Sequence, residues 1–131
     1  MMCLDIVYKG KKKKDALAKL PESGYYWKLV VLRNNKYRPP IYSEYGSYNI
    51  GWNTTTPKSE FESYLLAYHL FCTKSGARSM KRWVPAFYGT KVIVRCKVRR
   101  KDIINIGLQG KHLTIVTKRI WIPKPRKKKS A

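Results

Sequence analysis

Four cations share the odd positions of one short run, Lys91, Arg95, Lys97 and Arg99, while Val92, Val94, Cys96 and Val98 hold the even ones. A two-residue period is that of a β-strand, so this run predicts a strand with one apolar face and one mostly cationic face, interrupted by Ile93. Such a cationic face suits a phosphate backbone, because each neutralised phosphate releases counterions and affinity accrues without any base being read. A second cluster, Lys74, Arg78, Lys81 and Arg82, belongs to a predicted short helix with Thr73 as its N-cap and Pro85 closing it. Its Ala77, Met80 and Val84 would face inward and its cations water. Tyr42, Tyr45, Tyr48 and Trp52 fall in the least regular stretch, where exposed rings would offer stacking platforms for unpaired bases and buried ones would anchor the loop. These twelve residues are the candidate nucleic-acid contacts.

Other chemistries find less to work with. His69 and Cys72 stand three positions apart, and Cys3, Cys96 or His112 would have to complete a zinc site. On a strand, positions three apart point to opposite faces, so no metal is expected. Of the seven acids only Glu60 and Glu62 stand close together, on a segment expected to be exposed, so no paired-carboxylate site is expected. The sequence carries no GxSxG, P-loop, HExxH or dinucleotide fingerprint, and nothing positions a cysteine beside a histidine as an activated nucleophile. No cofactor and no enzymatic activity are expected.

The elements that must position the cations can be read in outline. YYWKLVVLR, residues 25–33, is rich in aromatic and β-branched residues and ends at Asn34-Asn35, which predicts a strand followed by a turn. The Tyr-rich segment with Pro39-Pro40 is edge strand or loop, and Gly51 to Pro57 reads as loop. Tyr68 to Cys72 predicts a strand before the helix. Beyond the cationic strand, Asp102 to Gly107 reads as a turn or a single helical loop, and Leu113 to Ile122 as one last strand ended by Pro123. The expected fold is α+β, a small, mainly antiparallel sheet with one principal helix packed against it. Residues 1–24 are expected to be a basic N-terminal arm, 25–123 a single domain and 124–131 a disordered basic tail.

The net charge of +22 divides as +3 over residues 1–24, +9 over 25–98 and +10 over 99–131, so the folding region is basic by itself. Charge of this size opposes compaction through self-repulsion, and a polyanionic partner would offset it. An apolar fraction of 44% is enough to build a core. The three cysteines form no CxxC and read as reduced thiols of a cytosol. The longest apolar run, Leu65 to Cys72, is too short for a membrane span, so no membrane partner is expected.

Several short pieces together resemble a loose group of small, uncharacterised bacteriophage and mobile-element proteins. They are Met2-Cys3-Leu4, Tyr26-Trp27-Lys28-Leu29-Val30, Pro40-Ile41-Tyr42 with Tyr45, Tyr68-His69-Leu70-Phe71 with Ala77, and the Val92 to Val98 strand leading to Lys118-Arg119-Ile120. The resemblance implies a role in the cytoplasm of an infected bacterial host and carries no assigned activity. The expected function is therefore non-enzymatic binding of nucleic acid, DNA or RNA, by a phage-encoded accessory protein. The alternative is a counter-defence inhibitor or other protein-interaction module acting on a host nucleoprotein complex. A degenerate nucleotide-using enzyme, with His69 and the Tyr-rich loop around a pocket, ranks third.

Overall fold

The apolar run after Gly24 becomes the longest strand of the computed structural model, which describes residues 4–39, 47–57, 64, 67–84 and 89–125. In chain order the elements are β1 (Ile6–Val7), α1 (Gly10–Ala18), β2 (Ser23–Arg33), β3 (Lys36–Arg38), β4 (Gly51–Thr54), β5 (Tyr68–Phe71) and α2 (Lys74–Trp83), followed by β6 (Thr90–Arg99), β7 (Ile103–Gln109), β8 (His112–Thr117) and β9 (Arg119–Ile122). Nine strands among the described residues form one sheet in the order β1-β7-β8-β5-β2-β6-β9-β4, with β3 paired to the end of β2. Every pairing is antiparallel. The α+β expectation holds, but the sheet is large rather than small.

β2 and β6 are the spine, matched over ten residue pairs from Ser23↔Arg99 to Leu32↔Thr90. Their even-numbered residues Tyr26, Val30, Val94, Cys96 and Val98 meet Leu70, Ile106, Ile115, Ile120 and Ile122 from β5, β7, β8 and β9 in one core. Inward residues from both halves of the sheet share that cluster, so the sheet curls around it. On the outer face, Leu29 of β2 and Phe71 of β5 pack against Ala77 and Met80 of α2 and against Val84 at its C-cap, with Trp27 and Ile93 at the margin. β2 is thus covered on both sides from Lys28 to Val31, which is why all four residues are buried there. α2 forms as its sequence predicts: the Thr73 side chain accepts from the Gly76 N–H, and Arg78, Lys81 and Arg82 remain exposed.

The hairpin joining β2 to β3 turns at Asn34 and Asn35, both at positive φ (52° and 62°). Two consecutive left-handed residues match the twist of a two-residue hairpin, and Asn tolerates that conformation better than most residues.

Four expectations are overturned. Residues 1–24 are not an arm apart from the domain: β1 pairs with β7, and Ala16 and Leu17 of α1, with Leu20 just beyond it, pack against the main core. The lysine run itself is helical, with Lys12 over the Tyr8 ring and the Lys13 ammonium donating to Asn105 Oδ1 at 3.1 Å. Ile103 onward is not a turn but β7, preceded by a single 3-10 turn at Arg100–Asp102. Asn105 and Gly107 disguise it, and Gly107 is there because β1 crosses so closely that a Cβ would overlap the Ile6 carbonyl. Gly51–Thr54 is a strand, not loop; its buried Asn53 is satisfied by the Asn49 N–H and by the carbonyls of Asn49 and Gly51. The last predicted strand breaks at Lys118 into β8 and β9, where the Lys118 N–H and the Thr117 hydroxyl both donate to the Asp102 carbonyl. That break carries the chain from the β7–β8 half to the β6–β4 half of the sheet.

Gly107→Ala is expected to destabilise the fold by on the order of 2 kcal/mol, because the added methyl must push β1 off its partner. Urea unfolding monitored by circular dichroism measures it; an unchanged midpoint would show that β1 contributes little. No helix among the described residues is long and apolar enough to cross a membrane. The predicted tail beyond Pro125 lies outside the described residues.

Candidate nucleic-acid interface

Residues opposite one another across antiparallel strands point to the same face of a sheet. Lys97 is opposite Tyr25 on β2 and opposite Trp121 on β9, and Trp121 is opposite Trp52 on β4. One row, Tyr25, Lys97, Trp121, Trp52, therefore crosses four adjacent strands on the outer face. Two residues along β6 and β9, Arg99 (opposite Ser23) and Arg119 (opposite Thr54) flank it on one side. Arg95, opposite Trp27, flanks it on the other.

The flanking cations lie against the row's own rings. The Arg95 guanidinium sits 4.5 Å from the Tyr25 ring centroid, and those of Arg99 and Arg119 lie 4.7 and 4.4 Å from the Trp52 centroid. Cation–π contacts of this kind hold guanidinia near the sheet surface instead of letting them swing freely. Tyr25 remains 50% exposed, Arg95 is exposed, and Lys97, Arg99, Arg119, Trp52 and Trp121 are half-buried. A shallow cavity of about 450 Å³ lined by Glu22, Ser23, Arg99, Arg100 and Lys101 opens beside the Arg99 end.

The structure brings together Arg95, Lys97, Arg99 and Trp52 of the candidate contacts. The helix cations Lys74, Arg78, Lys81 and Arg82 are exposed on the same side of the sheet, because α2 covers the outer face at Leu29. Leu29 is four residues from Tyr25 along β2, roughly 13 Å at strand rise, so those cations border the row without joining it.

Two candidates lie elsewhere. The Lys91 ammonium donates to the carbonyls of Lys81 and Val84, the latter at 2.9 Å, and so caps the C-terminal end of α2. Those two carbonyls take two of its three N–H donors away from any phosphate. Tyr48 turns inward, packs against the main core and meets Tyr68 edge-to-face at 6.0 Å. Tyr42 and Tyr45 lie outside the described residues. Lys91→Met is expected to lower stability by about 1–2 kcal/mol while leaving nucleic-acid affinity within twofold. Thermal unfolding beside an affinity titration checks both, and a large affinity loss would return Lys91 to the interface.

Three members of the face escaped sequence reading: Tyr25, Arg119 and Trp121. Their alternation with Tyr26, Ile120 and Ile122 was visible, but the order that sets β9 and β4 beside β6 was not.

His69 is engaged in structure: its Nδ1 is 3.0 Å from the Ala67 carbonyl and its Nε2 is 2.8 Å from the Tyr64 hydroxyl, whose oxygen accepts from the Leu4 N–H. Burial pushes the Cys72 and Cys96 thiols up to about 12, far from a reactive thiolate. Among the described residues no three His, Cys, Asp or Glu side chains converge as a metal cluster would require.

Comparison with protein-family models, with curated proteins and with solved structures finds no match.

Proposed function

We propose that this protein binds nucleic acid through the outer face of β2, β6, β9 and β4, as an accessory factor rather than an enzyme. The observation that carries the reading is the row Tyr25, Lys97, Trp121, Trp52 with Arg95, Arg99 and Arg119 beside it. Four cations on one face supply phosphate neutralisation, and three rings supply flat apolar surface that phosphate contacts alone do not need. An infected bacterial cytoplasm, which the resemblance to phage proteins implies, is the setting of this reading.

Fluorescence anisotropy of a labelled oligonucleotide, titrated with protein across a range of salt, tests it. Neutralisation of about four phosphates predicts a slope of log affinity against log salt near −3 for a single strand. Affinity that does not change with salt would overturn the proposal. A host complex that survives nuclease and leaves no measurable oligonucleotide binding would favour the protein-interaction alternative.

A further inference from the structure

Resting on that reading, we infer that the ligand of this face is single-stranded nucleic acid, held by stacking of unpaired bases on Tyr25 and Trp121. Width and chemistry both point to it. The row crosses four strands, and three inter-strand gaps of about 4.8 Å make it roughly 14 Å wide before the outer side chains are counted. A major groove about 12 Å wide admits a helix or a two-stranded ribbon, not a face of this breadth. A duplex laid on it would touch phosphates at the rim and leave the rings without a base to meet. A single strand has no such limit, since its bases splay onto a sheet while its phosphates follow the edge.

The positions of the groups fit that ligand. Tyr25 and Trp121 are separated by Lys97 alone, so two rings stand two strands apart with one cation between them. Arg95 lies on one side of the row and Arg99 with Arg119 on the other. A strand crossing the sheet along the row therefore passes cations on both sides. Stacking tolerates any base, because every base presents a π-face, so little sequence preference is expected.

The outer surface toward α2 also explains where the site ends. Trp27, the next outward residue after Tyr25 on β2, packs against the α2 cluster instead of standing free. The bases consequently have Tyr25 as their last ring on that side, and the exposed cations of α2 meet only backbone.

The experiment compares labelled oligomers of about ten nucleotides, oligo-deoxythymidine and oligo-uridine, with a duplex of the same length. Wild type, Tyr25→Leu, Trp121→Leu and Arg95→Glu are each titrated, with circular dichroism confirming the fold. Single strands are expected to bind at least tenfold tighter than duplex. Each leucine variant is expected to weaken binding of single strands by about five- to a hundredfold and of duplex only slightly. Duplex bound as tightly as single strands, or leucine variants that bind like wild type while Arg95→Glu weakens binding, would overturn the single-strand inference and leave nucleic-acid binding standing. Failure of wild type to bind any of the three would overturn both.

Discussion

Reversing three charges together, R95E/K97E/R99E, is expected to weaken nucleic-acid binding by on the order of a thousandfold at moderate salt. Each charge-assisted hydrogen bond contributes about 1.5 kcal/mol or more, and three of them amount to about three powers of ten before any repulsion is counted. The same variant should flatten the salt dependence, since the counterion slope falls by about 0.7 for every single-strand phosphate that is no longer neutralised. Reversing Lys74, Arg78 and Arg82 instead should cost far less, because those cations sit over the α2 end of the face, away from the rings. Trimming residues 124–131 removes five basic residues and should also cost less. Equal effects from the triple reversal and the trimmed chain would move the site to the C-terminal segment. Arg99 touches Trp52, so the variant must first pass a thermal unfolding comparison with wild type. Should it unfold early, Arg95→Glu is the substitute: Arg95 is exposed and its ring contact is to the half-exposed Tyr25.

What made that prediction reachable from sequence was period. Residues 91–99 alternate so cleanly that the apolar and cationic faces are assigned before any fold is known, and the structure keeps Val94, Cys96 and Val98 in the core. Helix α2 was equally legible, because its cap, its apolar stripe and its exposed cations are all local features. The misses share a different cause. β4 and β7 carry Asn53, Asn105 and Gly107, residues of low strand propensity that are tolerated because a tertiary contact needs them. The composition of each segment points away from a strand, and only the partner strand shows why it is one. Lys91 shows the limit of period alone. It shares the parity of Arg95, yet the end of α2 lies over it and takes up its ammonium. The row itself needs β9 and β4 beside β6, and nothing within 131 residues of one chain announces that order.

Replacing Lys28 by methionine is expected to stabilise the protein at neutral pH, with a gain that shrinks as pH rises. Lys28 shares its face with Tyr26 and Val30, so it points into the sheet interior, where it is 8% exposed. Its ammonium donates to the His69 carbonyl at 3.1 Å and stands 5.8 Å from the Tyr48 ring centroid, and among the described residues no carboxylate meets it. Burial lowers its pKa from 10.5 to about 8. The interval between those values corresponds to about 3 kcal/mol that the folded state spends on keeping the charge buried. Below pH 8 the lysine is charged in both states and this cost is fully present. As pH rises through 8, the folded protein releases the proton while the unfolded chain holds it until about 10.5, so the unfolded state binds more protons and stability climbs. Burial also raises Tyr26, Cys72 and Cys96 to about 12, and above pH 9 these groups pull stability the other way. Tyr26 and Cys72 do not feel the substitution and cancel in the difference, whereas Cys96, which the Lys28 ammonium pulls down, rises further once that charge is gone. Methionine fills the same space without a charge, at the cost of about 1 kcal/mol for the missing hydrogen bond. The variant should then lead by about 2 kcal/mol at pH 7, raising the melting temperature by roughly 5–10 °C, and lose that lead by about pH 10. Paired urea denaturations at half-unit pH steps measure the difference directly. A lead that stays constant from pH 7 to 10, or none at all, would mean that the Lys28 ammonium reaches water and that the interior of the sheet is open on that side.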